Sequence, residues 1–241
     1  DPNGRRVTGV LLARGGWVET TAVVITAGTF LKAVMFTGFA KSDGGRHGDR
    51  AAGLMSQAIE AAGIKLKRLK TGTPPRLRLS SISLDKTEKQ PGDKDPKPFS
   101  FRTRKEPFPI LPQIDCYITH TNEETHRIIE SNFDQSPMFT GLISGIGPRY
   151  CPSIEDKVKR FKDRDRHQLF LEPEGLSTEE VYVNGISTSL PAAVQEQFLH
   201  TIPGLENAEF IRHGYAVEYD AVDPTFLKPT FEAKGLAGLF F

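Results

Sequence analysis

The sequence predicts an α/β core that is interrupted by a second, inserted domain. Three observations support this prediction: residues 22–27 form an apolar run typical of a buried strand, a long stretch of mixed patterns follows, and residues 235–241 form a second apolar strand. We expect the two strands to be neighbours in one sheet. Residues 1–42 and 229–241 are therefore assigned to the core, and residues 43–228 to the insertion, with approximate boundaries.

The composition is typical of a globular protein. The 241 residues are 38% hydrophobic and 25% charged, with a net charge of +1, which gives no overall attraction to nucleic acid. No run approaches the ~18 apolar residues of a transmembrane helix. The two cysteines fit a reducing, cytoplasmic location. Because the chain starts without Met and ends inside an apolar strand, we expect an internal piece of a longer protein.

The N-terminal region predicts strands at residues 5–12 and 17–26, separated by a glycine-containing turn. The continuous apolar run within the second strand indicates burial on both faces. The strand ends at Gly28, where the missing side chain lets a ligand approach the backbone.

A glycine-rich loop at residues 42–49 precedes a predicted helix of about 14 residues, with Asp49 as N-cap and Gly63 as C-terminal stop. The loop is either an anion cradle, with Arg46 as counter-charge, or a tight surface turn. The apolar face of the helix comprises Leu54, Met55, Ala58, Ile59 and Ala62.

Residues 64–79 are basic, and no acidic residue lies between Glu60 and Asp85. Their partial alternation predicts a half-exposed strand. The cations form either a solvated face or a track for a phosphate backbone. They are Lys65, Lys67, Arg68, Lys70, Arg76 and Arg78.

Three further helices are predicted in the insertion. The first begins with a capping box of Thr121 and Glu124 and runs to about Ser131, the second covers residues 153–162, and the third starts at Pro191. Four acidic residues have no partner that the sequence identifies and are interpreted as structural: Glu172, Glu174, Glu218 and Asp220.

Cys151 follows a glycine-rich turn and precedes the start of a helix, and Arg149 lies close to it in the sequence. Both features lower the pKa of a thiol, so Cys151 is a candidate nucleophile, with a buried hydrophobic role as the alternative. Cys116 lies in a strand-like run without an adjacent positive group and is interpreted as structural.

Residues 147–161 (GPRYCPSIEDKVKRF) resemble the signature of the MnmG (GidA) family of flavoproteins, which modify the wobble uridine of tRNA. The resemblance extends over nearly the whole chain. The other matching blocks are residues 22–31 (AVVITAGTFL), 68–76 (RLKTGTPPR), 116–125 (CYITHTNEET), 170–175 (FLEPEG), 184–190 (NGISTSL) and 214–220 (GYAVEYD).

The resemblance implies part of an FAD-binding core of the glutathione-reductase type, with a mixed α+β substrate and nicotinamide domain inserted into it. It implies FAD, NADH and methylenetetrahydrofolate as cofactors or cosubstrates, tRNA and the GTPase MnmE as partners, and a homodimer. The reaction places an aminomethyl-type group on C5 of uridine. Because the glycine-rich FAD fingerprint is absent from this chain, we expect it to bind FAD weakly or not at all alone.

The resemblance also assigns residues. Cys151 matches a proposed catalytic thiol, whose addition to C6 of uracil would activate C5; Gly28 and Ala52 match FAD-contacting positions, although Ala52 stands where other members carry serine. The basic run would hold tRNA through Lys65, Lys67, Arg68, Lys70 and Arg76.

The nicotinamide segment comprises Gly147, Pro148, Arg149, Tyr150, Cys151, Pro152, Ser153, Ile154, Glu155, Asp156, Lys157, Val158, Lys159, Arg160 and Phe161. The alternatives are a folate- and FAD-dependent tRNA uridine methyltransferase, which the signature at 147–161 disfavours, and a non-catalytic RNA-binding module.

Overall fold

The computed structural model describes residues 4–104, 106–147 and 152–241. No helix within these ranges is long and apolar enough to cross a membrane. The α-helices of the described ranges are α1 (Gly53–Ala61), α2 (Glu123–Ser131), α3 (Ile154–Arg160) and α4 (Ala192–Leu199). The strands are β1 (Gly9–Leu11), β2 (Trp17–Glu19), β3 (Val23–Val24), β4 (Val34–Thr37), β5 (Ala40–Asp43), β6 (Leu66–Thr73), β7 (Arg76–Arg78), β8 (Glu88–Gln90), β9 (Cys116–His120), β10 (Gln168–Pro173), β11 (Glu180–Asn184), β12 (Phe210–Arg212), β13 (Tyr215–Val222) and β14 (Leu239–Phe240).

The first and last apolar strands are neighbours, as the sequence predicts. Strand β14 pairs with β3 in parallel, with Leu239 opposite Val23 and Phe240 opposite Val24. Strands β1 and β2 form an antiparallel pair beside them. The chain is therefore α/β, and its two ends meet in one small sheet, while the domain boundaries stay a prediction.

The insertion contains a six-stranded antiparallel sheet in the order β12-β7-β11-β10-β9-β8. Helices α2, α3 and α4 contribute to the same hydrophobic core as this sheet. Burial alternates along β11, as expected for a strand with one face on a core. Fully buried core residues include Leu77, Ile129, Ile154, Leu169, Val183 and Phe198.

A four-stranded antiparallel sheet in the order β5-β4-β13-β6 carries residues 66–73 of the basic run. Strand β13 pairs with β6 along its whole length, from Tyr215 opposite Thr73 to Val222 opposite Leu66. This part of the run is thus a strand, as predicted, and β13 places acidic residues opposite it. The run is not one continuous strand, however, because Arg76 and Arg78 lie on β7 of the six-stranded sheet.

Two predictions about the N-terminal region are wrong in detail. The strand predicted at residues 17–26 is divided into β2 and β3. The run at 22–27 is not buried on both faces, because Val23 and Ile25 pack inward while the side chain of Val24 is 65% exposed. Within the described residues β3 has β14 as its only strand neighbour, and its side chains alternate between the core and solvent.

Helix α1 is shorter than predicted, because Asp49 is not its N-cap. The Nε atom of Arg46 donates to Oδ2 of Asp49 at 2.7 Å, and the helix starts after Ala52 without a side-chain cap. Gly63 follows the helix with a φ of +83°, as expected for a C-terminal glycine. The predicted apolar face lines an open groove of about 540 Å³ beside β1.

The capping box of α2 is shifted by one residue from the prediction. Oδ1 of Asn122 accepts from the backbone N of Thr125 at 2.9 Å, whereas Oγ1 of Thr121 lies 2.8 Å from Nε2 of His126. The end at Ser131 is as predicted. Ser153 caps α3, and Pro191 stands at the N-cap of α4 instead of the first helical position.

Candidate functional site

The turn after β3 and the start of α1 lie against each other. The backbone N of Ala52 donates to the carbonyl of Phe30 at 2.8 Å, two residues after Gly28. Gly28 has a φ of +54°, and a Cβ built there would meet no atom within 4 Å, so its backbone is open to an approaching molecule. The structure thus brings together the two positions, Gly28 and Ala52, that the sequence assigns to FAD.

The N-terminal end of helix α1 has no side-chain acceptor for its backbone amides. It has neither a side-chain N-cap nor an acidic residue in its first turn. The first amides of a helix carry partial positive charge and need acceptors. A phosphate or another anion fits such a donor set, because no carboxylate in the first turn competes for it.

The glycine-rich loop at residues 42–49 is a tight turn whose cation is already bound. The guanidinium of Arg46 pairs with Asp49 at 2.6 Å, so its charge is matched within the loop. The backbone N of His47 donates to the hydroxyl of Tyr215 at 3.0 Å, which fastens the loop to β13. These contacts favour the surface-turn interpretation over an anion cradle with Arg46 as counter-charge.

Arg68 is held in a network of ion pairs. Its Nη1 donates to Oδ1 of Asp220 at 2.9 Å and to the carbonyl of Lys32 at 3.0 Å. Its Nη2 donates to Oε2 of Glu218 at 3.0 Å. Two of the four acids that the sequence leaves without partners, Glu218 and Asp220, therefore lie on the strand beside the basic run.

The other predicted tRNA-binding cations differ in their solvent exposure and in whether they already form an ion pair. Lys67 pairs with Asp223 at 2.9 Å, and this contact, together with two hydrogen bonds from Thr225, lowers the pKa of Asp223 to about 2. Lys70 is only 2% exposed. Lys65 is exposed and makes no ion pair among the described residues.

Arg76 is also occupied, because its Nε donates to Oε2 of Glu174 at 2.8 Å and its guanidinium lies 4.2 Å from the ring centroid of Tyr182. The assignment of tRNA binding to the five cations stays a prediction, and Lys65 is the one whose charge is most available.

The glycine-rich loop at residues 141–147 is fastened to the same network. Oε1 of Glu218 accepts from the backbone N of Ser144 at 2.8 Å, from its Oγ at 2.9 Å and from the backbone N of Gly145 at 2.6 Å. Burial opposes ionisation of Glu218, but the bonds from Arg68 and from this loop hold its pKa below the usual range. The carboxylate therefore stays charged and joins loop and strand.

Residues 148–151, which include Pro148, Arg149, Tyr150 and the candidate nucleophile Cys151, lie outside the described residues. The description resumes at Pro152, and the backbone N of Ile154 donates to the carbonyl of Ser187 at 2.7 Å. Of the nicotinamide segment, the described residues are thus Gly147 and residues 152–161.

Helix α3 is anchored from the inside. Ile154 and Val158 belong to the core. Glu155 is fully buried, and its Oε1 accepts from Oγ1 of Thr188 and from the backbone N of Ser189, both at 3.0 Å. The exposed side chains of this helix lie at its C-terminal end, at Lys159 and Arg160, and Phe161 directly after the helix is exposed too. A bound nicotinamide could contact the helix through these side chains.

Cys116 lies on β9 between β8 and β10 and is half-buried. Burial raises the pKa of its thiol, and the negative charges of Glu172 and Asp115 raise it further. A thiol that is protonated at neutral pH is a poor nucleophile. These surroundings agree with the structural interpretation of Cys116.

The sequence did not indicate Glu218 and Ser144 as parts of the site, and it placed Glu155 in the nicotinamide segment without indicating its buried contacts. A usable signal existed for Glu218, because Glu218 and Asp220 are spaced by two on a strand, as are Arg68 and Lys70. Two strands with opposite charges at this spacing can pair face to face. No local pattern indicates the buried contacts of Ser144 or Glu155.

The chain matches one family model along its whole length and is similar to named relatives. The family model described as "Glucose inhibited division protein A" matches residues 1–241. The chain is 52% identical over 238 residues to the tRNA uridine 5-carboxymethylaminomethyl modification enzyme MnmG of Thermodesulfovibrio yellowstonii, covering 99% of this chain and 38% of the relative. It is 53% identical over 243 residues to the MnmG of Myxococcus xanthus, covering 99% of this chain and 40% of the relative.

The fold is also similar to solved structures. Aquifex aeolicus GidA in its form I crystal superposes with a TM-score of 0.89 at 48% identity, covering 98% of this chain and 40% of that chain. The form II crystal gives a TM-score of 0.88 at 45% identity, covering 98% of this chain and 38% of that chain. The chain therefore spans about two fifths of the length of the proteins it matches.

Proposed function

Because the chain belongs to the glucose inhibited division protein A family, we propose that the intact protein installs a carboxymethylaminomethyl-type group on C5 of the wobble uridine of tRNA. The observation that carries this proposal is the match of the family model to all 241 residues, together with relatives above 50% identity that are named for this reaction. The pairing of the basic run with acids on β13 argues against a purely RNA-binding module. The names of the relatives argue against the methyltransferase alternative.

We further propose that FAD binds where the turn after β3 meets α1. Gly28 leaves its backbone open, and the uncapped amides of α1 suit a phosphate group. These residues fit the cofactor, although Ala52 lacks the hydroxyl of the serine of other members and its backbone N already donates to Phe30. When bound, FAD supplies the hydride chemistry that side chains lack.

In the same proposal NADH is the reductant, held at residues 147–161, and methylenetetrahydrofolate is the one-carbon donor. The exposed side chains Lys159 and Arg160 on α3, and Phe161 directly after it, are the ones placed to contact the dinucleotide. The basic side chains Lys159 and Arg160 would suit its phosphates, because both offer N–H donors to phosphate oxygens.

Cys151 is the proposed nucleophile. Its thiolate adds to C6 of uracil, so an S–C6 bond forms and the electron pair of the C5–C6 double bond moves to the C4 carbonyl as an enolate. C5 then attacks the methylene carbon of methylenetetrahydrofolate while one of its two carbon–nitrogen bonds to the folate breaks, and an amine that carries the carboxymethyl group later displaces the remaining folate nitrogen as tetrahydrofolate. Loss of the proton from C5 and departure of the thiolate from C6 restore the double bond. The base must leave its stack to meet the thiol.

The proposal extends to partners and location. It includes the GTPase MnmE, a homodimer and the cytoplasm, in line with the resemblance of residues 147–161 to the family signature. Among the cations assigned to tRNA, Lys65 is exposed and without an ion pair in the described ranges, so it is the one best placed to meet a phosphate.

The experiment is complementation with nucleoside analysis. Cells that lack the enzyme receive the intact protein, its Cys151→Ser variant, or its Cys116→Ser variant as the matched control. Their tRNA is digested to nucleosides, and the mass of the wobble uridine is measured by mass spectrometry. We expect the wild type and Cys116→Ser to restore the C5 group and Cys151→Ser to leave uridine unmodified. Failure of a folded wild type to restore the group would reject the function. Restoration by Cys151→Ser would reject the nucleophile.

A further inference from the structure

Arg68 joins the two regions that the proposed function needs to hold together. One side of its guanidinium donates to the carbonyl of Lys32, in the turn that follows β3. The other side binds Glu218, whose second oxygen accepts three donors from Ser144 and Gly145. A single side chain thus links the proposed FAD turn with the loop that leads, six residues after Gly145, to Cys151.

The contact between the loop and β6 is close and tolerates few changes. The backbone N of Lys70 donates to the carbonyl of Ile146 at 3.1 Å. A Cβ built on Gly145 would lie 2.8 Å from the carbonyl oxygen of Leu69, so only glycine fits there. At the other end, Lys32 has a φ of +43°, a conformation that a side chain disfavours and that surrounding bonds must hold.

The charge of Arg68 is already balanced in this arrangement. Glu218 and Asp220 face it at 3.0 and 2.9 Å, and its side chain is 27% exposed. A phosphate would have to compete with two carboxylates for the same donors. A lysine could not replace it, because one ammonium group cannot reach the three acceptors that the planar guanidinium bridges.

We propose that Arg68 and Glu218 form a positioning clamp, which holds the loop at residues 141–147 against the turn after β3. Arg68 then serves the reaction by fixing this loop and not by contacting tRNA phosphates. The inference rests on the proposed function, since the clamp matters for catalysis only if the loop carries reacting groups. Both residues are positioning residues, because neither touches the reacting atoms.

The first test uses Arg68→Lys in the intact protein, which keeps the charge and removes the bridge. We expect hydrogen exchange at the Ser144 and Gly145 amides to accelerate at least about tenfold. We expect kcat for tRNA modification to fall about ten- to a hundredfold, because a loop displaced by about 1 Å disturbs the reacting geometry, while KM for tRNA stays within about twofold. A phosphate contact predicts unchanged kcat and unchanged exchange, which would overturn the clamp.

The second test measures how tRNA affinity depends on salt in Arg68→Gln. The clamp predicts the wild-type slope, whereas loss of a phosphate contact lowers the slope by about 0.7–0.9. Arg127→Gln is the matched control, because Arg127 makes a two-point ion pair with Glu124 on the surface of α2. This control should leave exchange at residues 144–145, kcat and the slope unchanged.

Glu218→Gln provides an independent variant, since it keeps the shape and removes the ion pair with Arg68. Accelerated exchange at residues 144–145 in this variant supports the clamp. Unchanged exchange in both Arg68→Lys and Glu218→Gln, with both proteins folded by circular dichroism, rejects it. If exchange accelerates but the wild type does not modify tRNA, the proposed function fails and the clamp remains as a structural contact only.

Discussion

Lowering the pH from 7 to 5 should destabilise the six-stranded sheet through His167, which directly precedes β10. The Nε2 atom of His167 is buried without a hydrogen-bond partner, and its ring centroid lies 5.1 Å from that of His126. Burial, and then the positive charges of His126 and Lys157, lower the pKa of His167 to about 4. The folded protein therefore keeps this ring neutral at pH 7.

The sign and size of the effect follow from proton linkage. In the unfolded chain the ring has its ordinary pKa of about 6.5, so between pH 6.5 and 4 the unfolded state binds more protons. The stabilisation is fully present above about pH 6.5 and is lost as the pH falls toward 4. With a folded pKa of about 4, the loss between pH 7 and 5 is about 1.8 kcal/mol, and screening of the half-buried ring reduces it to about 1 kcal/mol.

Urea unfolding at pH 7 and pH 5 measures this loss. The wild type should lose about 1 kcal/mol more of its unfolding free energy than His167→Gln, which cannot take up the proton. His213→Gln removes a surface histidine that binds Glu196 at 2.8 Å and serves as the matched control. Equal losses in the wild type and in His167→Gln would refute the reasoning.

Three further predictions concern the core, the tRNA surface and the second thiol. Leu169→Ala, at a fully buried core position, should cost about 2–5 kcal/mol in urea unfolding, and a cost below about 1 kcal/mol would contradict the core assignment. Lys65→Gln should lower the slope of tRNA affinity against salt concentration by about 0.7–0.9. Arg76→Gln should leave this slope unchanged, because the charge of Arg76 is already paired with Glu174. A lower slope in Arg76→Gln together with an unchanged slope in Lys65→Gln would contradict the ion-pair argument. Because burial raises the pKa of its thiol, Cys116 should react with iodoacetamide at pH 7.5 more slowly than free cysteine, as peptide mass mapping would show; equal rates would disprove the raised pKa.

Several features could be predicted because their determinants are local. The sequence predicts a helix over residues 153–162, and the structure contains α3 there, with Ser153 as its N-cap. The apolar runs at 22–27 and 235–241 predict neighbouring strands, and β3 and β14 pair. The first prediction depends on residues within one segment. The second depends on two apolar segments and on the predicted fold class.

The site could not be predicted to the same depth, because its partners are remote in the chain. Residues 64–79 read as unpaired cations, yet the acids that bind Arg68 lie 150 and 152 residues further on. Competition between neighbours also misled local reasoning. Asp49 caps no helix because Arg46 binds its carboxylate. At the start of α2 the neighbouring residues Thr121 and Asn122 can both cap a helix, and tertiary contacts distinguish them: Oγ1 of Thr121 accepts from the backbone N of His167, and Nδ2 of Asn122 donates to the carbonyl of Thr201.

The most direct measurement of the central claim is trapping of the proposed covalent intermediate. The intact protein is mixed with tRNA that carries 5-fluorouridine at the wobble position, in the presence of its cosubstrates, and digested for peptide mass mapping. Fluorine replaces the C5 proton whose loss would release the thiol, so the S–C6 bond should persist. We expect a nucleotide adduct on Cys151 and none on Cys116. Modification of ordinary tRNA together with no adduct on Cys151 would contradict it.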